Sequence, residues 1–177
     1  MNLIFRLLHV LLFSRFRKSV GVMDECATPF RVWPTDLDVL MHMNNGVYLS
    51  LQDLARVDYM IRAGAAKKIS ENGWYPVVAS EMIRFRRSLQ VFQKFELRTK
   101  LIAWDEKYLY LEHKFTSRGE VMAIGMIRAR FLSKKGGLVS PQDLLKVLDL
   151  DLQSPPMPAH LQSWLSADQD HSKSLGL

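Results

Sequence analysis

The stretch Asp36-Leu37-Asp38-Val39-Leu40-Met41-His42-Met43-Asn44-Asn45-Gly46-Val47-Tyr48 decides how this chain is read. It gathers two acids, a histidine and two asparagines just ahead of a helical pattern, where core packing has no use for them. That pattern continues through Leu49, Leu51, Leu54, Ala55, Val57, Tyr59, Met60 and Ile61 for about five turns. Gly64 then stands where a C-terminal cap is favoured. Ser50, Asp53 and Arg56 leave only a narrow polar strip, so the helix is expected to be largely enclosed. The first N–H groups of a helix have no partner within it and carry the positive end of its dipole. They suit a polarised carbonyl or an oxyanion. A carboxylate a few residues upstream can attack the same carbonyl carbon or activate a water against it.

Downstream, 65–72 reads as a second short helix ending at Gly73. After Pro76 the period becomes two, with strands expected at 77–87, 92–104, 108–116 and 121–132. Ser117-Arg118-Gly119-Glu120 reads as a hairpin turn. A helix followed by long antiparallel strands gives an α+β class with the sheet wrapped around that helix. Upstream, Phe30 to Pro34 is a short extended piece that Pro34 stops. Gly136-Gly137 ends the sheet, Ser140 caps a helix over 142–150, and Pro155-Pro156-Met157-Pro158 opens a tail whose last dozen residues are expected to be disordered. The division is an N-terminal segment 1–20, one domain 21–152 and a tail 153–177.

At 177 residues and 48% hydrophobic, the chain has the length for one ordinary core. Its single cysteine, Cys26, has no intrachain partner for a disulfide or a zinc site, which points to a reducing, cytoplasmic setting. A formal charge of +6 calls for a polyanionic partner such as nucleic acid, an anionic membrane surface or coenzyme A. No helix-turn-helix, RNP or zinc pattern is present, so nucleic acid is not expected. In segment 1–20, Asn2, Arg6, His9 and Arg17 share one side, and Leu3, Phe5, Leu7, Leu11 and Leu12 crowd elsewhere. Arg6 and His9 interrupt the apolar run, so no membrane-spanning helix is expected, and 13–18 lacks a small-residue cleavage site. Two readings stay open: peripheral membrane contact, or packing on the domain or a partner subunit.

The run Asp38-x-x-x-His42-x-Asn44-Asn45-x-x-Tyr48, followed by Ala55-Arg56, resembles the Asp-x-x-Gly-His-Val-Asn-Asn-x-x-Tyr motif of the 4-hydroxybenzoyl-CoA thioesterase family of hotdog proteins. Residues 80–89 resemble that family's second strand, and the likeness extends over about 30–132. The chain is also similar to the branch that includes the thioesterase superfamily member 6 proteins, whose N-terminal segment is likewise apolar and basic. The resemblance implies a hotdog fold, an antiparallel sheet of about five strands around a long central helix. It implies an acyl-CoA thioesterase working as a homodimer or homotetramer, with coenzyme A as part of the substrate and neither metal nor other cofactor.

Position by position, it implies that Asp38 is the nucleophile or the general base and that the Asn45 backbone amide polarises the thioester carbonyl, with Gly46 as a possible second donor. His42, Asn44 and Tyr48 support the loop, and Asp53 lies near the acidic position before the Ala-Arg pair. Arg84, Arg86 and Arg87, with Lys67 and Lys68, are candidates for the coenzyme A phosphates. Met41 stands where the family usually has glycine, a change that bears on the loop backbone and the acyl pocket. Plainer roles remain beside these. Asp38 can cap the loop, Asp36 can pair with a neighbouring base, His42 can anchor rather than titrate, and the Asn45 side chain can be the helix cap. The competing functional reading is a non-catalytic acyl-CoA or lipid-binding hotdog protein at a membrane surface.

Overall fold

Helix α2, Asn45–Arg62, is the axis about which the rest is wrapped. The structure, a computed structural model, describes residues 3–176. The expectation for Asn2 lies outside them. In chain order the elements are α1 (Leu3–Phe13), β1 (Cys26–Arg31), α2, α3 (Ala65–Glu71), β2 (Trp74–Phe85), β3 (Lys94–Trp104), β4 (Leu109–Ser117), β5 (Glu120–Ser133), β6 (Leu138–Val139), α4 (Pro141–Val147) and α5 (Ala159–Ser174).

The sheet is antiparallel in the order β1-β3-β4-β5-β2, with the two-residue β6 paired to the end of β5. This is the hotdog arrangement expected from the sequence. Tyr48, Leu51, Leu54, Ala55 and Tyr59 of α2 are buried against it. Around the helix start they meet Leu97, Phe115 and Ala123, and toward its end they meet Leu101, Leu111 and Ile127. Each such side chain contributes about 1.5–3 kcal/mol on burial, so this one contact surface dominates the stability of the domain. The helix lies close to the sheet at Gly125, where a Cβ would meet the Gln52 amide at 3.0 Å.

The hairpin at 117–120 forms as expected, with Arg118 at φ 53° and Gly119 at φ 78°. Elsewhere the expected boundaries need correction. Phe92 is not a strand residue but sits at φ 60° in a turn closed by the Gln93 N–H donating to the Gln90 carbonyl, so β3 starts at Lys94. β1 includes Pro29, which is tolerated because β1 pairs only with β3 and leaves its other edge unpaired. α4 ends at Val147, before Asp149 turns to φ 58°.

The last dozen residues were expected to be disordered, but helix α5 continues through them to Ser174. Leu161, Trp164 and Leu165 form a stripe at helical spacing on α5 and cover Tyr110 and Met126 on the outer face of the sheet. Asp168 anchors the helix by accepting from Arg128 at 2.9 Å and from Ser80 at 3.4 Å. At the other end of the chain, α1 packs Arg6, Leu7 and Val10 inward and leaves Leu3, Ile4, Phe5, Leu8, Leu11, Leu12 and Phe13 in solvent. No helix among the described residues is long and apolar enough to cross a membrane.

One titratable group lies inside the helix–sheet contact. His113 of β4 is fully buried, its Nδ1 3.0 Å from the Thr99 hydroxyl, and its Nε2 has no partner among the described residues. Burial, aided by the Arg56 charge, holds the imidazole well below its ordinary pKa and therefore neutral. Below about pH 6.5 the unfolded chain takes up a proton here that the folded chain refuses, so stability falls with pH, by about 1.4 kcal/mol per pH unit. Above that pH the contribution is constant. Urea midpoints measured from neutrality down to about pH 5 should therefore fall more steeply for the wild type than for His113→Gln. Parallel slopes would overturn the assignment.

Candidate functional site

The site is built outward from Asp36, which is buried. Its Oδ2 accepts from the Arg6 guanidinium at 2.5 Å and from the Trp33 N–H at 2.7 Å, while its carbonyl accepts from the Asn44 N–H at 2.8 Å. Asp36 is thus structural: it fixes both ends of the loop 36–44. Between them the chain makes a tight reversal, bridged at Leu37–Met43 and again to the neighbouring segment at His42–Gln90.

Asp38 holds the tip of this reversal. Its N–H donates to the His42 carbonyl at 2.9 Å, and its carbonyl accepts from the Met41 N–H at 3.0 Å. Its Oδ1 accepts from the N–H groups of Leu40 (2.8 Å) and His42 (3.3 Å). Its Oδ2 has no partner among the described residues, and the side chain is only half-buried. Met41 takes up φ 61° in the left-handed region, with its side chain directed to solvent. The conformation that a glycine would enter freely is therefore kept, at a cost of about 1–2 kcal/mol. His42 contributes through its backbone, as an anchor.

The helix begins one residue earlier in its capping than the alternative for Asn45 allowed. Asn44 is the N-cap, its Oδ1 accepting from the Gly46 N–H at 2.8 Å and its carbonyl from the Val47 N–H at 2.9 Å. The Gly46 amide is thereby occupied, which removes it as a second carbonyl donor. The Asn45 N–H, at the first helical position, has no acceptor among the described residues and faces an exposed surface.

Tyr48 supports this start from beneath. Its ring packs edge-on against Phe85 and Phe115, at 5.0 and 4.9 Å between centroids, and its hydroxyl accepts from the Leu89 N–H at 3.4 Å. Burial raises the pKa of that hydroxyl. The Leu89 carbonyl accepts in turn from the Met43 N–H at 3.1 Å, so the segment after β2 clamps the loop.

Arg84, Arg86 and Arg87 lead into that clamp. They are exposed, Arg86 and Arg87 donate backbone N–H groups to the Met122 carbonyl, and Arg87 pairs with Glu120. Lys67 and Lys68 are not brought together with them in one protomer. They sit on α3, beyond the far end of α2, about 27 Å along the helix from Asn45, and pair with Glu71 and Asp149. Asp58, some 20 Å along the helix, is buried and takes Thr28, Arg17 and Arg62 as donors, a purely structural set. Beside it, burial and the Asp58 charge push the Cys26 thiol up to about 11, leaving it un-ionised.

Asp53 is exposed and pairs with Arg56, two turns beyond the helix start. Burial lowers the pKa of Arg56 while Asp53 and Glu81 of β2 raise it; burial raises that of Glu81. This trio of α2 and β2 side chains was not legible as a unit, because Glu81 occupies an ordinary outward position in a strand pattern. Asp53 and Arg56 line one part of a cavity of about 290 Å³ between α2 and the sheet, otherwise bounded by apolar side chains such as Met60, Val77, Leu111 and Phe131. Among the described residues no His, Cys, Asp and Glu side chains cluster as a metal ion requires.

Comparison with known proteins agrees with this architecture. The pattern of the Thioesterase-like superfamily matches residues 32–165. Protein THEM6 of Danio rerio is 35% identical over 159 residues, covering 87% of this chain and 75% of that protein. Protein THEM6 of Xenopus laevis is 33% identical over 147 residues, covering 81% and 69%. Among solved structures, the YbaW probable thioesterase from Escherichia coli superposes with a TM-score of 0.64 at 23% identity, covering 70% of this chain and 96% of its own. The BH1999 gentisyl-coenzyme A thioesterase superposes with a TM-score of 0.62 at 19% identity, covering 68% and 99%. With that pattern matched over residues 32–165 and relatives at 33–35% identity over most of their length, this chain belongs to the thioesterase-like superfamily.

Proposed function

We propose that this protein hydrolyses acyl-CoA thioesters, with Asp38 as the reacting carboxylate and the Asn45 N–H as the donor to the thioester carbonyl. The observation that carries the reading is the division of labour at Asp38, whose Oδ1 is spent on the loop while Oδ2 has no partner among the described residues, on the loop that leads into an unpaired helix-start amide. A carboxylate held in this way has little freedom left to lose on reaching the carbonyl carbon. It either attacks that carbon, giving an anhydride that water opens, or takes a proton from the attacking water. In both routes the C–S bond breaks, hydroxyl is added to the acyl group, and the departing thiolate receives the proton. The Asn45 N–H, at the positive end of α2, stabilises the oxyanion that forms on the way. Coenzyme A thioesters are favoured because a solved structural neighbour is a gentisyl-coenzyme A thioesterase, and because Arg84, Arg86 and Arg87 offer exposed cations beside the loop clamp.

The reading extends to a homodimer. Strand β2 is the outer strand at one edge of the sheet, and Tyr75, Val78, Met82 and Phe85 are exposed along it. An apolar, unpaired edge of 12 residues is suited to pairing with a second copy of itself.

Replacing Asp38 by Asn keeps an Oδ1 acceptor for the Leu40 and His42 amides and removes only the charge. Thiol release from a panel of short, long and aryl acyl-CoA substrates should fall by about a hundredfold or more, with the thermal midpoint little changed. Undiminished turnover would sink the catalytic role of Asp38, and an absence of thiol release by the wild type would leave a binding protein. Met41→Gly should relieve the left-handed strain and raise unfolding stability by about 0.5–1 kcal/mol after the entropy cost of glycine; a loss in urea midpoint would show that the Met41 side chain contributes packing instead. For the assembly, Met82→Lys should shift the mass measured by light scattering from dimer to monomer, and a wild-type protein already monomeric would reject the edge pairing.

A further inference from the structure

The opposite edge of the sheet carries a feature that thioester hydrolysis does not use. A groove of about 1070 Å³ runs between α1 and the β1 edge. Its apolar part includes Phe30 and Trp33, and its rim carries Arg31, Lys94 and Arg118. Arg31 and Lys94 are direct cross-strand partners, so their side chains stand on the same face at neighbouring positions. Opposed like charges destabilise a sheet unless an anion lies between them. Arg118, which also lines the groove, follows Ser117, whose hydroxyl donates to the Lys94 carbonyl at 2.7 Å and ties the two backbones together.

The acids in the groove do not offset these charges. Glu25 and Glu96 are both taken up by Arg98, whereas Arg31, Lys94 and Arg118 make no ion pair among the described residues. Beneath the rim, Arg6 lines the groove with its guanidinium almost wholly buried. Its Nη2 is bound to Asp36 and to the Arg31 carbonyl, and its Nη1 has no partner. A buried, half-satisfied guanidinium under three unpaired cations is a built anion site, since leaving such a donor unmet is costly.

The source of the anion follows from α1. The flank facing the groove carries Arg6, His9 and Val10, while Ile4, Phe5, Leu8 and Leu12 project into solvent, as does Phe16 in the turn that follows, 81% exposed. A helix with this outward face lies in the interface of a bilayer. We propose that the groove seats the phosphodiester headgroup of an anionic phospholipid, with its acyl portion against Phe30 and Trp33, while the outer face of α1 enters the same leaflet. This site is separate from the Asp38 loop and does not depend on the hydrolase assignment.

The test is sedimentation of the full chain with vesicles of phosphatidylcholine alone and with vesicles partly replaced by phosphatidylglycerol. Three rim cations should make binding to the anionic vesicles about a hundredfold tighter. The variant Arg31→Glu, Lys94→Glu, Arg118→Glu, all at exposed positions, should lose that preference at an unchanged thermal midpoint, and Arg31→Lys, Lys94→Arg, Arg118→Lys should retain it. Equal binding to both vesicles, or a preference that survives charge reversal, would overturn the site. So would displacement by inorganic phosphate, which would mark a free-phosphate site, or tighter capture by a single-stranded oligonucleotide than by the anionic vesicles.

Discussion

Much of this structure depends on one buried ion pair, Arg6 with Asp36. Its side chains are 3% and 5% exposed, so neither charge is offset by water. Removing one partner of such a pair typically costs about 3–5 kcal/mol because the other charge is stranded. Here the consequence is also geometric. The same carboxylate oxygen accepts from the Trp33 N–H, and the same residue's carbonyl accepts from the Asn44 N–H. Asp36 therefore joins α1, the entry to the loop and the N-cap of α2 in a single residue. The loop 36–44 is thus held by α1, a helix that precedes it by more than 20 residues.

The two ends of α2 are treated in opposite ways, and this separates structure from function along one helix. At its far end Asp58 is enclosed by Thr28, Arg17 and Arg62, and the Tyr59 hydroxyl donates to the Val22 carbonyl. Polar groups there are largely consumed by one another. At its start, Asn44 spends one side-chain acceptor on Gly46, and the next amide is left open toward solvent. A helix terminus normally finishes its capping. The two edges of the sheet differ in the same sense, with β2 apolar and outward and β1 bordered by unpaired cations.

The helix, the strands of period two and the 117–120 hairpin were legible because each rests on local chemistry: apolar spacing, turn residues and glycine. The loop stood out as a candidate site because its polar residues had no packing role. What was hidden depends on the third dimension. That Asp36 would pair with a base was legible, but which base was not, because the 30-residue separation between Arg6 and Asp36 closes only in space. The cap fell to Asn44 rather than Asn45, a choice that two adjacent asparagines cannot reveal. The α5 stripe at Leu161, Trp164 and Leu165 was outweighed by polar neighbours, although three apolar residues at that spacing suffice to dock a helix. The cross-strand pairing of Arg31 with Lys94 is invisible until register is known.

Met41 shows how magnitudes decide what the loop tolerates. A side chain at φ 61° costs about 1–2 kcal/mol. Against this, the reversal from Asp38 to His42 is closed by two backbone hydrogen bonds and by two more to Asp38 Oδ1. At about 0.5–1.5 kcal/mol each, these bonds together exceed the strain, so the turn survives without glycine. The two Oδ1 bonds supply about half of that margin. The residue whose Oδ2 has no partner among the described residues is thus the residue that lets the turn hold Met41, and under the proposed function holding the loop and reacting from it fall to one carboxylate.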